Sequence, residues 1–505
     1  MELVINRQTL EAERLVGKAQ AQKLVRAEAL VSGAGREDVE ILLADAGILT
    51  GNIDVQADRV TVDGKVKCQA VYRVGGENAV RALSVEAPVN QTVEIRSAMP
   101  GMHARARSVV DEVKAKYENG HMLFDVSVTT DVMAVDLKPK EVICGVAGAN
   151  EVETKYEEVV SRKVSAENAV TALVSDAVTL PAQLDARTAL MEWASVSDVD
   201  AKRDLGGVRV TGSIQCEALI SSGVTARPVA LVRYAMPLNQ LVPMPEWLSD
   251  DVRAAVTIRS VTSQVEQAPG GEDASLRLEA EADVNVMALG TDRAQALTDA
   301  YSTGLEAVSV AVKDVEVCAG MESVSLRESF RGTVMIPSGA GTVSSVCSAH
   351  ARAAVGEIIS EGGRTTVSGI VDAQTLYMTG GDEKLMSAAA ELPFEVSVAA
   401  EIGEDDWIRV NVVGAEGTAL MSDRIEFKCL LEIEAEKRRS AVHSVASELT
   451  AAGENERPRG VLLIWPQEGD TSWTVGKKYR IPVKRVSENC KGGDGIGGSV
   501  IVMRA

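Results

Sequence analysis

The sequence predicts a mainly β fold: three tandem, sandwich-like β-rich units followed by a small C-terminal unit. Three observations carry this. One strand pattern occurs three times, as Val62-Asp63-Gly64-Lys65-Val66-Lys67-Cys68-Gln69-Ala70, Val210-Thr211-Gly212-Ser213-Ile214-Gln215-Cys216-Glu217-Ala218 and Val367-Ser368-Gly369-Ile370-Val371-Asp372-Ala373-Gln374-Thr375. In each copy apolar or small residues alternate with polar ones at a period of 2, the pattern of a strand with one buried face. A proline then follows at near-constant distance: 24 residues from Gly64 to Pro88, 25 from Gly212 to Pro237 and 24 from Gly369 to Pro393. Helical signals are few, and 505 residues is about three domains' worth at roughly 150 residues each.

Each unit can be followed in order. The glycine shared by the three copies predicts a bulge, or a close approach of two backbones. In the first unit Val109, Asp111, Val113, Ala115 and Tyr117 alternate with polar positions, and Glu118-Asn119-Gly120 turns the chain. Asn-Gly is a hairpin signal because both residues tolerate positive φ. Phe124, Val126, Val128, Thr130 and Val132 then return on one face. The second unit offers Ala255–Ile258, a Pro269-Gly270-Gly271 turn and a return from Leu276 to Met287. In the third, Trp407–Val413 is expected to pair with Ile425–Glu434. Helix is predicted only as a short turn around Glu37–Leu43, over Asp292–Leu305 and near the C-terminus.

Ser440–Gly460 is charged and alanine-rich, without strand alternation, and reads as a partly helical linker. Beyond it lie Val461-Leu462-Leu463-Ile464-Trp465, a Gly469-Asp470-Thr471 helix start and a basic segment. There Trp473, Gly476 and Tyr479 fall three residues apart on one side, before a last strand at Val500–Met503. The expected division is 1–145, 146–315 and 316–440 for the three units, 441–458 for the linker and 459–505 for the small domain.

Composition narrows the function. The net charge of −21 opposes binding to nucleic acid or to an anionic membrane surface, which needs an excess of Lys and Arg on some face. Aromatic residues make up 3% of the chain, so cores must be built from Val, Ala, Leu and Ile. Met1–Arg7 lacks the basic start and apolar run of a signal peptide, and no stretch of 18 apolar residues offers a membrane span. The 7 cysteines are scattered without a CxxC pair, which suits free thiols in a reducing cytoplasm.

No motif for catalysis, metal or cofactor binding stands out. Cys68 and Cys216 share a repeat position that the third copy fills with Ala373, so it reads as a small packed site. Cys347 and His350, three apart on a strand, would face opposite ways. His103, His121 and His443 lack metal-ligand spacing, and the acidic group Glu401, Glu404, Asp405 and Asp406 reads as a solvated loop. Gly493–Gly498 precedes a strand rather than opening a helix, so it reads as a turn and not a phosphate loop. Trp473 is expected to anchor the core of the small domain, and Trp247 to pack over a strand end.

The opening region Met1–Leu43, the three Val-x-Gly-x-[Val/Ile] strands and their spaced prolines resemble SPOCS domains of endospore-forming bacteria. Gly469-Asp470-Thr471-Ser472-Trp473-Thr474-Val475-Gly476-Lys477-Lys478-Tyr479, with Asn489 and Gly498-Ser499-Val500-Ile501-Val502, resembles a LysM module. Together they resemble the SipL-type sporulation proteins. The resemblance implies a βααβ tail and a morphogenetic, non-enzymatic role without cofactor or metal. It places the chain in the mother-cell cytoplasm at the forespore surface, contacting a polymerising coat-basement ATPase. LysM modules elsewhere hold N-acetylglucosamine polymers, such as peptidoglycan strands, in a shallow groove. The corresponding positions here are Gly469, Asp470, Thr471 and Ser472, with Asn489, Gly492, Gly493 and Asp494 opposite. Ser472 and the glycine-rich 491–495 loop depart from the LysM pattern, which favours a protein partner over glycan.

Overall fold

In the computed structural model, residues 3–31, 39–75, 79–147, 151–246, 249, 251–267, 273–304, 306–381, 383–403, 405–454, 461–489 and 501–504 are described. One six-stranded unit occurs three times. The first comprises β1 (Val4–Leu30), β2 (Val39–Gln56), β3 (Arg59–Val74), β4 (Val80–Glu94), β5 (His103–Glu118) and β6 (His121–Ala147). The second comprises β7 (Val152–Leu180), β8 (Ala186–Asp204), β9 (Gly207–Ser222), β10 (Val229–Pro243), β11 (Val252–Gln267) and β12 (Ala274–Ser302). The third comprises β13 (Glu306–Met335), β14 (Thr342–Glu361), β15 (Arg364–Gly380), β16 (Leu385–Val398), β17 (Trp407–Met421) and β18 (Arg424–Glu454).

In every unit the second, third and fourth strands form one antiparallel sheet, and the sixth strand lies between the first and fifth in another. The two sheets face each other over a core of Val, Ala and a few large side chains. In the first unit that core contains Val66, Cys68 and Ala70 of β3 against Met122, Phe124, Val126 and Val128 of β6. The second and third units have equivalent cores, so the sandwich reading holds.

The sequence signals acquire geometric meanings. In each unit the spaced proline pairs with the residue after the repeat glycine: Lys65 with Pro88, Ser213 with Pro237 and Ile370 with Pro393. The proline strand is an edge strand of its sheet, the place where a residue without an N–H is tolerated. Opposite each glycine the preceding strand bulges, at Gly51-Asn52, Asp198-Val199 and Gly356. Asn119 and Gly120 take φ of 51° and 87° and join β5 to β6, as the hairpin signal predicted. The Pro269-Gly270-Gly271 turn lies outside the described residues, but the strands it was expected to join do pair, as do β17 and β18.

Three helical readings are corrected. Residues 39–43 begin β2, Asp292–Ser302 completes β12, and Ser440–Glu454 is the end of β18 rather than a linker. The cause is the same in each: a bulge puts two consecutive residues on the buried side and breaks the period of 2. In β2 the extra residue is Leu42, matched by Leu190 in β8 and Cys347 in β14. In the sixth strands it is Cys144, Thr298 and Ser447, which buries Val142-Ile143, Ala296-Leu297 and Val445-Ala446 side by side. The expected 145/146 and 315/316 boundaries fall inside β6 and β13, because the first and sixth strands run on past the rest of their unit.

First and sixth strands run 27–31 residues, about 90 Å at roughly 3.3 Å per residue. Beyond the fifth strand's reach they continue as a two-stranded stem, and the three stems pack on one another. Leu10, Val159 and Val315, one from each first strand, share a cluster with Val142, Ala296 and Val445. Buried Arg438 of the third stem reaches Glu13 of the first, and donates to the Glu13 carbonyl at 2.7 Å. At the other end of the contact Leu42, Leu43 and Val71 meet Leu190, Met191, Leu219 and Val229, and Cys347, Leu376, Met378 and Leu385. Equivalent residues of three units in mutual contact define an approximate threefold axis.

The C-terminal unit has the order βααβ: β19 (Val461–Ile464), α1 (Ser472–Tyr479), α2 (Val483–Asn489) and β20 (Ile501–Arg504). β19 and β20 pair antiparallel, and Ile464, Val475, Ile481 and Val486 form a core separate from those of the repeats.

Candidate functional site

The small unit carries the residues singled out in sequence. Thr471 caps α1: its hydroxyl accepts from the Thr474 N–H at 3.2 Å, and Thr474 returns a bond from its own hydroxyl, which accepts the Thr471 N–H at 2.9 Å. The Asp470 carboxylate accepts from the Gln467 N–H at 2.8 Å and so holds the turn before the helix. Gly469, with φ of 89°, lets that turn close. Gly469, Asp470, Thr471 and Ser472 therefore lie together at the start of α1, with Gly469 and Thr471 exposed. Asn489 ends α2. Gly492, Gly493 and Asp494, the expected opposite wall, lie outside the described residues, as do Trp247 and Gly493–Gly498.

Trp473 does something the sequence did not suggest. It is not part of the small unit's core but faces outward onto β12 of the second repeat. Its indole N–H donates to Asp299 Oδ2 at 2.9 Å, and Lys477 Nζ donates to both Asp299 oxygens, at 2.6 and 2.7 Å. Tyr301 meets the Trp473 ring edge-on at 5.1 Å and donates to the Ile481 carbonyl at 2.6 Å. Burial pushes the Tyr301 phenol above its ordinary range. A side chain at Gly476 would collide with the Tyr301 hydroxyl. An open cleft of about 660 Å³ runs beside this contact, lined by Lys155, Val310, Val312, Trp473, Lys477 and Arg480.

A second concentration of polar groups lies on the axis between the units. Asp45, Trp193 and His350 pair respectively with Gln69, Glu217 and Gln374, each five residues past its repeat glycine. They are thus one position in three copies, occupied by three different side chains. The Trp193 indole N–H donates to Asp45 Oδ2 at 2.6 Å, His350 Nε2 lies 3.2 Å from the same oxygen, and the two rings stack at 4.4 Å. Arg352 also contacts Asp45. Beside them Lys67 pairs with Glu192 at 2.8 Å across the first and second units. The available sequence signal is spacing: each of the three stands 19 residues before its glycine.

Burial pushes His350 down to about 4, against the opposing pull of Glu217 and Asp372, and lowers Arg352 to about 10. A base held neutral by burial contributes stability fully above the pKa of a free imidazole, near 6.5. That contribution is lost as pH falls from there toward about 4. The urea midpoint should therefore decline over this window, and His350→Gln should flatten the decline. An unchanged slope in the variant counts against the assignment.

The other candidates are structural. Cys68, Cys216 and Cys347 are buried and free, with thiols pushed up by burial to about 12, 11 and 11. The bulge at Cys347 turns it toward the axis cluster, the same side as His350, not the opposite one. His121 pairs with Glu28 at 2.7 Å and His443 with Glu157 at 2.8 Å. Asp406 is not solvated: it is 5% exposed and accepts from the N–H groups of Gly403 and Arg438, at 2.7 and 2.8 Å. Among the described residues no group of His, Cys, Asp and Glu is placed to hold a metal, and no helix is long and apolar enough to cross a membrane.

No curated protein and no solved structure matches the chain. Residues 39–118 match the family model described as SipL, SPOCS domain. That span is β2–β5 of the first unit, and the same four-strand block, with the same pairings, recurs as β8–β11 and β14–β17. The first unit thus carries a SPOCS-type segment, and the fold repeats its strand plan twice more.

Proposed function

We propose that the chain is a non-enzymatic morphogenetic adaptor of endospore coat assembly. It works in the mother-cell cytoplasm at the forespore surface, where its repeats and LysM-like tail bind the polymerising coat-basement ATPase. The observation that carries the reading is a SPOCS-type segment whose strand plan occurs in triplicate, with a separately cored module seated on the middle copy. Such a body offers several related surfaces on one frame, and linked weak contacts to a polymer bind jointly far more tightly than singly. Among the described residues the buried thiols are poor nucleophiles, and His350 is stacked and paired.

Pull-downs from sporulating cells test this with the full chain and with residues 458–505 removed. The ATPase is expected with the full chain and at least tenfold less without the tail. Recovery of neither ATPase nor coat protein in either case rejects the reading. The exposed Gly469 and Thr471 favour one alternative, binding of N-acetylglucosamine polymers at the start of α1. Retention of the full chain on peptidoglycan or chitin oligomers, abolished by Thr471→Lys, distinguishes it.

A further inference from the structure

The small unit touches the second repeat through one face of α1 and the Ile481 carbonyl just beyond it, and this surface has the features of a receptor. It presents an indole N–H and an ammonium that converge on one carboxylate, a ring edge and a carbonyl oxygen that take one tyrosine, and a glycine that leaves room for it. The occupant is a strand segment, Asp299-Ala300-Tyr301 of β12, whose first and third side chains point the same way because the period is 2. The contact is directional, joining a buried tyrosine to a partly exposed ion pair. Lys477 keeps 46% of its side-chain surface and Asp299 25%, so salt screens the pair. The module also has its own apolar core, so leaving β12 does not require it to unfold.

We propose that this face of α1, with the Ile481 carbonyl beside it, is a binding site for a β-strand carrying a carboxylate and a tyrosine two residues apart. The chain fills it with its own Asp299 and Tyr301. A partner protein presenting the same pair on a strand competes for it, and gains access when the module leaves the second repeat. The inference stands on the observed contact and is independent of which partner the adaptor serves.

The probe is a cyclised β-hairpin peptide presenting Ala296–Ser302, with the same hairpin carrying Asn in place of Asp299 as control. Binding is measured to the full chain and to its Asp299→Ala/Tyr301→Ala variant, whose face is vacant. The hairpin should bind the variant at least tenfold more tightly than the unaltered chain, and the Asn hairpin should lose most of that affinity. A variant with Lys477→Glu added should bind neither. Hydrogen exchange in α1 and α2 reports whether the module stays folded in each variant. Equal affinity for vacant and unaltered chains overturns the proposal, as does no affinity for a folded vacant module. Should the double variant unfold, Lys477→Glu alone decides: release of the module from β12, seen as faster exchange at 299–302 with α2 unchanged, supports the proposal, and unchanged exchange overturns it.

Discussion

Asp45→Ala is expected to destabilise the junction of the three units by about 3–5 kcal/mol, the usual cost of removing one member of a buried charged group. Asp45 is 7% exposed and serves three partners from two other units: the Trp193 N–H, His350 Nε2 and the Arg352 guanidinium. Without the carboxylate, a buried guanidinium loses its direct partner and keeps only the more distant pull of Asp372, and the indole loses its acceptor. Hydrogen exchange at β2, β8 and β14 measures the effect locally, where a multi-unit chain need not unfold in one step. The amides around the axis should exchange roughly a hundredfold to a few thousandfold faster, while those of β5 and β11 change little. Removing the opposite charge as well, in Asp45→Leu/Arg352→Met, should restore part of the loss, because an apolar pair has no uncompensated charge. If Asp45→Ala leaves exchange at the axis unchanged, this cluster does not hold the units together.

The same cluster shows where sequence reading stops. The third, fifth and sixth strands are legible because their buried sides alternate, with a recognisable turn at Asn119-Gly120, while the fourth is marked only by its spaced proline. The first strands and the ends of the sixth are not legible. Their partners lie roughly 90 to 150 residues away, as Leu30 opposite His121 and Val152 opposite Ser302 show, and local alternation says nothing about such pairing. Bulges did further damage. Leu297 and Ala300 look helical three residues apart until Thr298 is recognised as the extra residue that resets the period. Asp45, Trp193 and His350 were invisible for a different reason: three unlike residues share one position, so a search for likeness passes over them. A tryptophan in a small domain reads as core, but the partner of Trp473, Asp299, sits in another unit. Of the expected groove, the α1 side is together at Gly469–Ser472.

Gly369→Ala should be the most damaging small substitution at the repeat glycines, and its two counterparts should rank below it. A methyl group at Gly369 would run into the Ala354 carbonyl oxygen and stand 2.8 and 2.9 Å from two ring carbons of Phe394. Phe394 is 5% exposed and packed in the core of the third unit, so the ring has nowhere to go. Overpacking against backbone and a fixed ring costs about 1–3 kcal/mol or more. At Gly64 the obstacle is the Leu49 carbonyl at 2.6 Å, a collision with backbone alone. At Gly212 the Ser197 carbonyl is 3.3 Å away, a distance that a shift of a few tenths of an ångström relieves. There the methyl also lowers the entropy of the unfolded chain, a gain of about 0.4–1 kcal/mol that offsets the crowding. Hydrogen exchange in β3, β9 and β15 for the three single variants should therefore give the order Gly369, Gly64, Gly212, with Gly212→Ala close to neutral. Three equal losses would mean that the repeated glycine serves the bulged backbone itself, through its flexibility. Three unequal losses in this order would mean that it serves the neighbouring carbonyl, through the space it leaves.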